Sequence, residues 1–163
     1  MIMKHAFSLL CLLIPLSLRA QQDVAFADYF VDLTLRVDYY HSGTKTQEFI
    51  SLDHCYRQGV WAGSTRHLVD RFNLGRYAAR MYDTASGKMI FSKSYDGYFG
   101  EYRTTAPAKE GIMRTYSESV LLPFPRRPVR VEFAHRDNRN VYHPLTSVII
   151  DPADYHIITE SPL

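Results

Sequence analysis

Along residues 33–40, LTLRVDYY, apolar and polar side chains trade places at every step. Leu33, Leu35, Val37 and Tyr39 fall on one side of an extended backbone, and Thr34, Arg36, Asp38 and Tyr40 on the other. A helix, whose side chains repeat about every 3.6 residues, cannot gather those four apolar groups onto one face. The stretch therefore reads as a half-buried strand, and a strand with one apolar face needs a second layer to cover it.

Similar signals recur downstream. GRYAARMYDTASGKMIFSKSY (75–95) carries two strand-like runs around Asp83 to Lys88, rich in the turn formers Asp, Ser and Gly. In VRVEFAHRDNRNVYHPLTSVII (129–150), Val129, Val131 and Phe133 alternate with Arg130 and Glu132, and RDNRN supplies a turn. Both read as hairpins. Pro144 in the second places its strand at an edge or a bulge, because proline has no N–H to give a ladder. GIMRTYSESVLLPFPRRP (111–128) begins as a strand, and Pro123, Pro125 and Pro128 read as an extended loop that stops pairing. SLDHCYRQG (51–59) reads as one or two helical turns, with Ser51 as N-cap, Leu52, Cys55 and Tyr56 on one face, and Gly59 closing the end.

These elements predict an all-β fold, an antiparallel β-sandwich of two packed sheets with one or two short helical turns. An α+β domain using 51–58 and 106–111 as helices is the alternative. MIMKHAFSLLCLLIPLSLRA (1–20) reads as a secretory signal, with Lys4 and His5 before an apolar run and Ala20 at the cleavage point. Its run is too short for a membrane span of about 20 apolar residues. The expected domains are the signal over 1–20 and one β-sandwich over 21–163. Export would deliver the chain to the periplasm, the cell surface or the medium, free of the membrane once the signal is cut.

Without the signal, 17 basic residues face 17 acidic ones. A balanced chain has no electrostatic hold on nucleic acid or on anionic lipid, so those partners are excluded. Arg126, Arg127 and Arg130 are its one basic knot, expected to solvate a loop. Cys55 would stand alone, unable to form an internal disulfide, and is expected to point inward.

Catalytic patterns are missing from the sequence. The seven histidines are followed by Ala6, Ser42, Cys55, Leu68, Arg136, Pro144 and Ile157, never by Glu, so the HExxH helix of zinc peptidases is absent. No GxSxG occurs. Asp53, His54 and Cys55 are the densest set of ligand types, but neighbours on a helical turn point about 100° apart and would rarely reach one ion. Asp96 and Glu101 bracket an aromatic stretch and could form an acid and base pair of the kind a glycosidase needs, but carboxylates five apart around glycines are common in turns. No catalytic residue, metal or cofactor is expected.

Binding has two sequence candidates. SYDGYFGEYRTT (94–105) holds Tyr95, Tyr98, Phe99 and Tyr102 and reads as a strand that turns twice; Trp61 lies between Gly59 and Gly63 in a loop. Rings of this kind can stack on a sugar, although packing between sheets is their commoner use. Trp61, Tyr95, Tyr98 and Tyr102 are therefore the candidate ligand contacts.

DYFVDLTLRVDYYHSG (28–43), ISLDHCYRQGVWAGS (50–64), DRFNLGRYAARMYDTASGKMIFSKSYDGYFGEYRTT (70–105), GIMRTYSESVLLPFP (111–125) and VIIDPADYHI (148–157) together cover most of the chain after the signal. In these stretches it resembles the N-terminal domain of the secreted IgA metallopeptidases of metallopeptidase family sixty-four, from Gram-negative bacteria. The resemblance implies a β-rich accessory domain ahead of a zinc peptidase domain, whose metal-binding motif lies in that later domain. It implies no catalytic residue here. The expected function is a secreted, non-catalytic accessory domain that binds a host or secreted protein, or positions a metallopeptidase catalytic domain. A glycan-binding module and a truncated relic of a zinc metallopeptidase are the alternatives.

Overall fold

The computed structural model describes residues 24–160; the export signal read over 1–20, with Cys11 inside it, lies outside them. β1 (Phe30–Gly43) is the spine of the first sheet. It pairs antiparallel with β2 (Glu48–Gln58) on one side and with β5 (Arg114–Pro125) on the other, and β8 (Ile158–Thr159) adds a short parallel edge to β2. The second sheet joins two hairpins, β3 (Tyr77–Asp83) with β4 (Met89–Tyr95) and β6 (Val129–Arg136) with β7 (Tyr142–Ile150), through antiparallel pairing of β3 to β6. The strand orders are β5-β1-β2-β8 and β4-β3-β6-β7. The all-β sandwich expected from the alternation is the fold; among the described residues its one parallel pair is β2 with β8.

Leu35, Val37 and Tyr39 of β1 meet Ala79, Met81, Phe91, Val131 and Phe133 of the opposite sheet in one buried cluster. The Tyr39 and Phe133 rings, from different sheets, lie 4.8 Å apart. Each large apolar side chain buried in this way contributes about 1.5–3 kcal/mol. The outer faces use their tyrosines differently: Arg36 sits 3.9 Å from the Tyr56 ring centre and Arg130 4.1 Å from that of Tyr82, cations covering rings that face water. Arg130 is thus a strand residue, whereas Arg126 and Arg127 lie in the turn before β6.

Both predicted hairpins form. In the first turn Asp83 Oδ2 accepts from the Ser86 amide and hydroxyl, while Gly87 takes φ +68°. Pro144 lies on the edge strand β7, beside a register shift at Phe133/Ala134.

Three expectations fail. Residues 51–58 are strand, not helix. Between Val37↔Cys55 and Tyr39↔Leu52 the register slips, so β2 carries one extra residue at 53–54. That bulge shifts the phase of the strand: Cys55 and Ile50, an odd number of residues apart, both turn toward the core. A broken period of two imitated a helical face. Pro123 and Pro125 do not stop pairing either, since β5 runs through them as an edge strand, opposite Thr34 and Phe30. An edge strand needs no ladder N–H on its open side, which is why proline is tolerated there. Finally, 94–105 is not a strand that turns twice: β4 ends at Tyr95 and a helical turn α1 (Tyr98–Tyr102) follows, then α2 (Ala106–Lys109). A further helical turn, before β1, spans Phe26–Tyr29.

Candidate functional site

The end of the sandwich beneath α1 holds a buried polar cluster. His41 continues the inward parity of Leu35, Val37 and Tyr39 on β1 and is 1% exposed. Its direct partners are Ile50 on β2 and Tyr116 on β5, while Glu48 and Glu118 stand two residues along, opposite Gly43 and Tyr39. Diagonal neighbours on one sheet face lie within reach of long side chains. His41 accordingly meets a carboxylate on each flank, Nδ1 to Glu118 Oε2 at 3.1 Å and Nε2 to Glu48 Oε1 at 2.9 Å.

Both ring nitrogens facing carboxylates means that both donate, as in an imidazolium. Burial pushes the His41 pKa down, but hydrogen bonds to Glu118 and Glu48 and their charges more than offset this, leaving it above the ordinary 6.5. Burial likewise pushes Glu48 and Glu118 up, yet hydrogen bonding to His41 brings both below the usual 4.5. Arg103 Nη1 binds Glu48 Oε2 at 2.6 Å, and the Phe99 amide donates to Glu118 Oε1 at 3.0 Å. Two cations thus meet two anions, and each charge is paired.

Backbone and rings close around this cluster. Phe99 stacks on His41 at 4.2 Å and Tyr77 meets its edge at 4.9 Å. Gly97 passes so near Glu118 that a Cβ there would lie 2.7 Å from Oε1. Gly43 has φ +150°, and a Cβ on it would strike the Gln47 carbonyl at 2.1 Å. Among the described residues the buried Tyr77 hydroxyl finds no hydrogen-bond partner. No sequence motif marks His41, Glu48, Glu118 or Arg103. The available signal was an acid or imidazole at core parity: Glu118 keeps step with Val120, Leu122 and Phe124.

The fold brings Tyr98 and Tyr102 to one groove and sets Tyr95 and Trp61 elsewhere. Tyr95 is half-buried, its hydroxyl 3.0 Å from that of Tyr39 in the opposite sheet. Tyr102 is buried and donates to the Ile112 carbonyl at 2.6 Å. Tyr98 is 72% exposed. It shares a groove of about 580 Å³ with Tyr102, Arg114 and Tyr116. Trp61 lines a different cavity, also about 580 Å³, where Phe91 packs edge-on against the indole and Phe72 stands 82% exposed. Phe72 is not among the sequence candidates.

Cys55 points inward, and burial, helped by Asp38 and Asp154, pushes its thiol up to about 11, so it stays protonated and unreactive. Asp53 pairs with His54 at 2.8 Å. Among the described residues no three His, Cys, Asp or Glu side chains gather as ligands for a metal ion. Asp96 accepts from the Arg76 amide at 3.0 Å, a backbone tie at the start of β3, and Glu101 is exposed on α1.

No curated protein matches the chain. The family model described as the peptidase M64 N-terminus matches residues 25–146, which takes in β1 to β6 and the first half of β7. The chain therefore belongs to the peptidase M64 N-terminal family, as its resemblance to the IgA metallopeptidases implied.

Proposed function

We propose that this peptidase-associated N-terminal domain is exported and non-catalytic, and that it binds a partner protein or positions a peptidase domain. The observation carrying this reading is the fate of His41. Its imidazole lies beside two carboxylates, the arrangement an acid–base catalyst could use, yet both nitrogens are spent on Glu48 and Glu118 and the ring is covered by Phe99. A group so enclosed holds strands together; it has no face left for a substrate. The absence of HExxH from the sequence supports the same reading.

Titrating the exported chain against a cognate M64 peptidase domain, and separately against immunoglobulin, tests this. Saturable binding to either, with no peptide hydrolysis by the chain itself, is the expected result. Failure to bind both, or zinc-dependent cleavage by the purified chain, would overturn it.

A glycan-binding module is the second reading, favoured by the Trp61 cavity, where an indole and the exposed Phe72 ring flank polar Ser64, His67 and Asp70. A glycan array decides it. Binding that survives Trp61→Ala excludes stacking on that indole.

A further inference from the structure

One end of the sandwich gathers positive charge that the balanced composition does not foretell. The β1–β2 turn brings Lys45, the residue before β3 is Arg76, α1 is followed by Arg103, α2 ends in Lys109, and β6 ends in Arg136. These five cations line one open cleft of about 700 Å³. The Lys45 amide donates to Ala108 O at 3.1 Å, which fixes the β1–β2 turn beside α2.

Only part of this charge is answered within the chain. Arg103 is paired with Glu48, and the single lining acid, Asp137, is taken up by His143 Nε2 at 2.8 Å and by the amides of Arg139 and Val141. Arg76 donates to Gly100 O at 2.8 Å, and Arg136 to Asn73 O and Leu74 O, each at 2.7 Å. These partners are neutral carbonyls, so they hold the guanidinium groups in place without cancelling their charge, and leave other N–H donors of each free. Among the described residues Lys45, Arg76, Lys109 and Arg136 have no carboxylate partner.

The geometry points to a receptor for an acidic peptide segment, rich in Asp or Glu, carried by a partner protein; this rests on the protein-binding reading above and names the partner's chemistry. Anchored guanidinium forks match carboxylates, and losing no rotamer freedom on binding favours them. Thr104, Asn138 and Asn140 supply neutral donors and acceptors suited to a peptide backbone. His135 is the only ring in the lining, so the stacking surface that a sugar site uses is missing. Outside the cleft, residues 21–163 hold 12 basic against 16 acidic residues, an excess of negative charge that offers no track for a nucleic-acid backbone.

The test is fluorescence anisotropy with the exported full chain and a labelled peptide of alternating Glu and Gly. A Gln-and-Gly peptide and a sulfated oligosaccharide serve as comparisons. Lys45 and Lys109 are exposed, so Lys45→Glu with Lys109→Glu leaves the fold intact, as circular dichroism will verify. Binding of the Glu peptide alone, weakened by salt and about tenfold or more by the double charge reversal, is expected. Equal binding of the Gln peptide, preference for the oligosaccharide, or no binding overturns the proposal. The double variant is also titrated against the peptidase domain and immunoglobulin. Binding that the reversal leaves unchanged rejects the cleft and keeps the protein-binding reading; wild-type chain that binds neither protein rejects that reading, and the Glu peptide alone then judges the cleft.

Discussion

His41 and Glu118 are 77 residues apart in sequence and 3.1 Å apart in space, on neighbouring strands β1 and β5. Their contact is diagonal, since Glu118 stands opposite Tyr39 rather than opposite His41. It joins a spine strand to an edge strand that contains two prolines, and through the Phe99 amide it also pins α1.

Removing one member of this buried set leaves a charge without its partner. His41→Ala and Glu118→Ala are each expected to cost about 3–5 kcal/mol. The double variant should cost less than the sum, with a coupling of about 0.5–3 kcal/mol from urea unfolding of all four proteins. Strict additivity would show that the pair contributes nothing beyond its separate packing.

The same cluster sets a pH window. Because the folded His41 pKa is raised above 6.5, the native state holds its proton longer than the unfolded chain, so this stabilisation is complete below 6.5 and is lost as pH rises through the raised value. Glu48 and Glu118 are lowered below 4.5, so theirs is complete above 4.5 and is lost as pH falls through the lowered values. The cluster should therefore stabilise most between 4.5 and 6.5. Thermal midpoints across that range and beyond should fall on the alkaline side in the wild type, and this decline should be flattened in His41→Gln.

Gly97→Ala tests the closeness of backbone and carboxylate. The added methyl would lie 2.7–2.9 Å from the Glu118 oxygens, which the His41 and Phe99 contacts prevent from moving aside. A loss of about 1–3 kcal/mol is expected. In a Glu118→Ala background the loss should largely vanish.

Two phenylalanines give opposite forecasts. Phe133→Ala, at an inter-sheet ring contact and 2% exposed, should cost about 3–5 kcal/mol. Phe72→Ala, 82% exposed, should change stability by no more than about 0.5 kcal/mol. A large effect of Phe72→Ala on melting would mean that this ring is structural rather than available to a ligand.

Cys55 should resist thiol reagents. With its thiol buried and pushed up to about 11, labelling by a maleimide at neutral pH should proceed only as fast as the chain opens, and quickly in denaturant. Fast labelling of the native chain would place the thiol at the surface instead.

The sandwich and both hairpins were legible because alternation over 33–40 and turn residues at 83–88 and 136–140 are local signals, written in consecutive residues. Family resemblance was legible for the same reason, in runs of glycines and rings. What tertiary structure decided depends on register. The bulge at 53–54 turned an apparent helix into β2, the edge position of β5 let Pro123 and Pro125 pair, and diagonal placement across β1 brought His41 to Glu48 and Glu118. The basic cleft is likewise assembled from five separate segments, each ordinary alone. Pairing strands far apart in sequence fixes which side chains meet, and no window of neighbouring residues contains that information.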